Sequence, residues 1–126
     1  MSKKNIYLTI GILWFAISFY LLTIPGKELP QISWMDTLHV DKLVHITMFF
    51  LLSYLFSYPV RKSSRKYTWM LLIAISGLLY GIAMEFVQKY YIPFRSCDVE
   101  DMVADGIGSF AGYFWWRIKL KKQTIL

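Results

Sequence analysis

The chain has 126 residues, is 56% hydrophobic and 18% aromatic, and has a mean hydropathy of +0.43. A soluble domain of this size cannot hide so many apolar side chains, so lipid must solvate part of its surface. The net charge of +6 and pI near 9.5 do not indicate nucleic acid, because the basic residues form separate clusters at the ends of apolar runs.

A hydrocarbon core about 30 Å thick takes roughly 20 apolar residues per helix. Four segments meet that requirement, at about 6–24, 43–60, 67–87 and 102–118. The first begins like a signal peptide, with Lys3 and Lys4 ahead of an apolar stretch. That stretch is longer than an ordinary h-region, and the chain runs on through Thr23, Ile24, Pro25 and Gly26 without a small-residue cleavage site. It reads as a retained helix. Arg61, Lys62, Arg65 and Lys66 separate the second segment from the third, and Arg117, Lys119, Lys121 and Lys122 follow the fourth. Tyr20, Trp34, Tyr90 and Tyr91 mark one membrane boundary; Tyr58, Tyr67, Trp69, Trp115 and Trp116 mark the other.

The predicted fold is an all-α integral membrane four-helix bundle, a single domain over 1–126, with the lipid bilayer as its first partner. The positive-inside rule puts the basic clusters, and so the N- and C-termini, on the cytoplasmic side of a multi-pass protein. All eight acidic residues then lie on the other side. The first segment, with no polar stripe in its outer half, offers a surface for a homodimer. Cys97 is the only cysteine, so no intrachain disulfide can form.

Carboxylates near a bilayer centre are expensive, by about 2.5–3.5 kcal/mol for Asp on insertion scales, so they must turn away from lipid. Helical spacing shows how. Gly77, Gly81, Glu85 and Gln88 share one face of the third segment, and Asp101, Asp105, Gly108 and Gly112 share one face of the fourth. Small residues at this spacing let membrane helices approach closely. Laid antiparallel, Gly77 is expected to face Gly112, Gly81 to face Gly108, and Glu85 to lie level with Asp105. Asp41 and His45, four residues apart, join them from the second segment. The expected site therefore gathers Asp41, Lys42, His45, Glu85, Gln88, Arg95, Asp98, Asp101 and Asp105 beneath the outer membrane face. Arg95, in a loop after Pro93 and Phe94, is expected to cover the pocket mouth and hold a phosphate or carboxylate. The plainer alternative is a buried ion pair, Glu85 with Arg95 or Lys42, that only fixes the bundle.

One histidine among scattered carboxylates does not define a metal site. No metal ligand set and no cofactor are expected, beyond a transient divalent cation bridging a phosphate to Asp101 and Asp105.

Three elements resemble a known family. Asp41-Lys42-Leu43-Val44-His45 followed by Phe49-Phe50-Leu51-Leu52 is similar to the D-K-x-x-H-F signature of VanZ-like membrane proteins. Gly81, Glu85 and Gln88 match its G-x-x-x-E-x-x-Q, and Arg95, Asp101, Asp105, Gly108 and Gly112 match its R…D-x-x-x-N-x-x-G-x-x-x-G ending. Asp105 stands where that pattern carries Asn. The resemblance implies a bacterial cytoplasmic membrane protein concerned with the cell envelope or its antibiotics, since the family takes its name from a teicoplanin-resistance protein.

Three functions compete at this stage. The first is binding or modification, at the outer leaflet, of an envelope lipid, a lipid-linked glycan or a glycopeptide antibiotic. The second is an enzyme transferring or hydrolysing a lipid-borne phosphate or acyl group, with His45 or Glu85 as general base and Asp101 and Asp105 holding a cation or proton. No nucleophile is marked, which leaves the question of catalysis open. The third is a small proton-coupled exporter, disfavoured because the first segment carries no ionisable residue in its apolar run.

Overall fold

The computed structural model describes residues 1–29 and 31–126. Among the described residues the chain is all-helical: α1 (Lys3–Leu22), a short α2 (Ser33–Thr37), α3 (Val40–Ser57), α4 (Lys66–Tyr91) and α5 (Val99–Ile125). The four long helices match the four predicted segments; α1 and α3 stop two and three residues short of the predicted C-terminal ends, and every other end runs past the prediction. The short α2 was not expected; it lies in a linker too polar and too brief to show periodicity.

Helix ends follow local chemistry. Ser2 caps α1 by accepting a hydrogen bond from the Asn5 N–H at 3.2 Å. Proline, which restricts the residue before it, follows soon after α1 at Pro25 and after α4 at Pro93. Asp98 caps α5, its Oδ1 accepting from the Glu100 N–H at 2.8 Å.

Helices α1, α3 (with the turn that follows it) and α4 are long and apolar enough to cross a membrane. Most of their surface needs lipid: on α1 only Gly11, Ser18 and Leu22 are buried, while Ile6, Leu8, Ile12, Leu13 and Phe19 are exposed. Helix α5 is less apolar, and its small and polar residues are turned inward. Ala104, Asp105, Gly108, Ser109 and Gly112 are all buried.

Glycine decides which backbones meet. A Cβ on Gly108 would collide with the Ile46 carbonyl, and one on Gly112 would sit 2.8 Å from Ser53 Cβ, so α5 lies directly against α3. Helix α4 meets a neighbouring face of α5. There a Cβ on Gly81 would come 2.6 Å from Asp105 Oδ2, and one on Gly77 would strike Ser109. The expected pairing of Gly77 with Gly112 and Gly81 with Gly108 is therefore wrong by about one helical turn. The reason is that Gly108 and Gly112 serve α3, while the residues beside them serve α4. Ser109 seals that contact by donating to the Ala74 carbonyl at 2.8 Å.

Helix α1 lies along α3, where the Trp14 Nε1–H donates to the Met48 carbonyl at 3.0 Å and Tyr7 stacks on Tyr58 at 3.6 Å between centroids. Among the described residues the apolar packing forms two clusters. One joins Leu22, Met48, Phe49, Leu52 and Met84; the other joins Met70, Ala74, Tyr113, Trp116 and Leu120. Lys3 and Lys4 share a cavity wall with Arg61 and Lys62, and Arg117 lies near the Tyr67 ring, so these basic clusters meet at one end of the bundle.

The close contact yields a test. Gly108→Ala should destabilise the protein by about 1–3 kcal/mol, the ordinary penalty of overpacking against an unyielding backbone. Gly106→Ala meets only the Leu78 Cδ1 tip at 3.1 Å and should change stability far less. Thermal unfolding of both variants in one detergent, read by intrinsic fluorescence, checks the difference.

Candidate functional site

At the end of the bundle opposite the basic clusters, the first turns of α3 and α5 and the last turns of α4 bring ionisable side chains together. Lys42 is the hub. Its Nζ lies 2.5 Å from Asp101 Oδ1, 2.7 Å from Asp98 Oδ2 and 3.0 Å from Asp41 Oδ2, and its side chain is only 16% exposed. Lysine suits this position because an ammonium carries three donors on a flexible apolar stem. The ammonium also holds the Asp98 carboxyl below its ordinary value.

One turn further along α3, His45 Nδ1 makes a 2.7 Å hydrogen bond with Asp105 Oδ1, and Nε2 lies 3.8 Å from Asp101 Oδ2. Both His45 and Asp105 are buried. Asp105, standing where the resembling pattern has Asn, is thus available as an anionic partner for the imidazole.

Glu85 comes from α4 and is 1% exposed. Its Oε2 accepts from the Asp98 backbone N–H at 2.9 Å, while its Oε1 is buried with no hydrogen-bond partner among the described residues. Donor atoms of His45, Glu85 and Asp105 lie within 4.8 Å of one another. The expected convergence of Asp41, His45, Glu85, Asp101 and Asp105 from three helices is present, and Lys42 and Asp98 belong to the same cluster.

Two expected site residues face elsewhere. Gln88 is buried and donates through Nε2 to the Leu22 carbonyl at 2.9 Å. Arg95 donates through Nε to the Ile24 carbonyl at 3.1 Å, with a second contact to the Leu21 carbonyl at 3.4 Å. Both satisfy carbonyls at the C-terminal end of α1 or just beyond it, where no further helical turn supplies donors. Arg95 does not pair with Glu85. Pro25, soon after α1, is the one sign in the sequence that the helix stops; which of its carbonyls need outside donors is marked by no residue. Leu21, Leu22 and Ile24 belong to the site through their backbones, a role that side-chain reading misses.

Beside the cluster, a cavity of about 390 Å³ lies between α1 and α3 and the linker that joins them. Leu22, Val44 and Met48 supply apolar wall, and Asp41, His45 and Arg95 supply polar wall. The cavity is amphipathic, and its polar side opens on the ion cluster.

Fold and site together define a small helical membrane protein with a buried polar cluster at one end of its bundle. The chain belongs to the VanZ/LLP1 family, whose model matches residues 4–120. It is 36% identical over 101 residues to an uncharacterized protein of Schizosaccharomyces pombe, a match covering 80% of this chain and 56% of that one. The chain therefore corresponds to little more than half the length of this relative. No solved structure matches.

The hub gives a second test. Lys42→Met leaves three carboxylates around an apolar group. Unfolding stability should fall by about 2–3 kcal/mol, between the exposed and the fully buried ion-pair cases. Lys121→Met, at an exposed position, should stay within about 0.5 kcal/mol of the parent. Chemical denaturation of the three proteins in one detergent measures the gap.

Proposed function

We propose that this VanZ-family protein binds an amphipathic membrane molecule, with the polar part against the cluster and the apolar part along α1 and α3. The observation that carries this reading is the cavity that joins Asp41, His45 and Arg95 to an apolar wall. Ligand pockets combine such apolar lining with a few fixed polar groups. Intramembrane ionisable residues that converge from several helices usually mark a ligand or ion path.

The occupant is a lipid headgroup, a lipid-linked glycan or a lipoglycopeptide of the teicoplanin kind. The relative in a yeast favours a general membrane constituent over one antibiotic. Orientation follows from charge: the basic clusters face the cytoplasm, the acidic end faces outward, and α5 completes a fourth crossing. The ligand then enters from the outer leaflet.

A second reading has its own observation. Asp105 holds the His45 imidazole through Nδ1, which is how a carboxylate orients a general base. His45 would then transfer protons during hydrolysis or transfer of a lipid-borne phosphate or acyl group, with Glu85 and Asp101 beside it.

Native mass spectrometry after gentle extraction tests the binding reading. One lipid-sized molecule should be retained per chain, and Val44→Trp, which adds bulk to the cavity wall, should lower occupancy at least several-fold with unfolding behaviour preserved. Equal occupancy in Val44→Trp and the parent would sink the cavity as the binding place. Incubation with labelled lipids separates the two readings: product that disappears in His45→Gln supports catalysis, and stoichiometric retention without product supports binding.

A further inference from the structure

The cluster contains a feature that ligand binding in the neighbouring cavity does not use. Glu85 is 1% exposed, and its Oε1 is sealed from solvent without a hydrogen-bond partner among the described residues. A buried carboxylate oxygen left in that state costs about 1–3 kcal/mol. Helix bundling alone gives no reason to retain it. The same carboxylate faces His45 and Asp105, with donor atoms of the three residues within 4.8 Å of one another.

We propose that His45, Glu85 and Asp105 form a binding site for a first-row divalent cation, of the Mn²⁺ or Zn²⁺ class. An octahedral shell with bonds of about 2.1 Å places neighbouring donors about 3 Å apart and opposite donors about 4.2 Å apart. His45 Nδ1 and Asp105 Oδ1 are 2.7 Å apart, and the three residues each offer one ligand atom within 4.8 Å of the others, so small side-chain rotations bring them onto one centre. One imidazole with two carboxylates suits ions that accept both nitrogen and oxygen; purely hard ions such as Mg²⁺ and Ca²⁺ prefer oxygen alone.

Charge points the same way. The Lys42 ammonium pairs with Asp41, Asp98 and Asp101, whereas Glu85 and Asp105 form no ion pair with it. Lys42 therefore offsets mainly the outer part of the cluster; of the deeper pair, Asp105 is hydrogen-bonded to His45, while Lys42 and Arg95 act on Asp105 and Glu85 only from a distance. A divalent cation neutralises that pair in surroundings where unpaired charge is costly. On binding, the proton on His45 Nδ1 is released, and the imidazole carries its remaining proton on Nε2. Nε2 faces Asp101 Oδ2 at 3.8 Å, the carboxylate partner that fixes the ring of a metal-bound histidine. His45 also lines the cavity beside the cluster, which provides the route of entry.

The site stands apart from the identity of any lipid ligand, and its test does not use one. Full-length protein in detergent is stripped with a chelator, then dialysed against Mn²⁺ or Zn²⁺, and bound metal is counted per chain. One ion per chain is expected, with affinity about 10–100-fold weaker in Glu85→Gln and in Asp105→Asn, as for loss of a metal's supporting groups. Glu28→Gln, in an exposed linker, should bind like the parent. Electron paramagnetic resonance of the Mn²⁺-loaded parent should show coupling to one imidazole nitrogen, absent in His45→Gln. The nitrogen signal decides the matter on the parent protein even if a variant fails to fold. A monodisperse parent that takes up no stoichiometric ion, or Mn²⁺ bound without nitrogen coupling, would overturn the proposal. So would unchanged affinity in a folded Glu85→Gln protein.

Discussion

Burying carboxylates among apolar helices forces a choice on every neighbouring residue. Each anion needs a cation or a donor close enough to replace lost water, and the helices must approach closely enough for short side chains to reach. Lys42 meets the first demand for the outer acids, with three carboxylates within 3.0 Å of one ammonium. The glycines meet the second. A side chain at Gly81 would occupy the space of the Asp105 carboxylate, and one at Gly108 would push α5 off the α3 backbone. The packing of α3, α4 and α5 and the arrangement of the ionisable groups are thus one structure. Loosening either loosens the other.

Part of this was legible in the sequence. Residues four apart share a helix face whatever the tertiary fold, so the stripes on α4 and α5 and the turn from Asp41 to His45 could be read directly. Charge expense in lipid then implied that those faces meet. Register was not legible, because periodicity gives a face and not a height, and because α5 has two neighbours. Spacing cannot say that Gly108 and Gly112 serve α3 while Asp105 and Ser109 meet α4. The misreading of Arg95 has a different cause. A lone arginine near many acids invites an ion pair, but the orphan carbonyls of α1 are backbone groups that no residue letter displays.

Those two tethers change the role of α1. Its helical surface is mostly apolar and exposed, and it contributes no ionisable side chain to the cluster. Yet Gln88 and Arg95 fasten its C-terminal end to α4 and to the loop before α5. That end also supplies Leu21, Leu22 and Ile24 to the cavity wall. The position of α1, and with it the width of the cavity, depends on hydrogen bonds made by residues that belong to the ion-bearing half of the molecule.

The arrangement separates two tasks that a bundle of this size must combine. The inner pair of Glu85 and Asp105 with His45 lies in low dielectric, where charge-assisted bonds are strong and geometry is exacting. The outer acids around Lys42 lie nearer solvent: Asp41 and Asp98 keep side-chain exposures of 59% and 40%. The cavity wall carries both His45, which belongs to the inner cluster, and Arg95, which tethers the end of α1, so the cluster and the tether share one cavity.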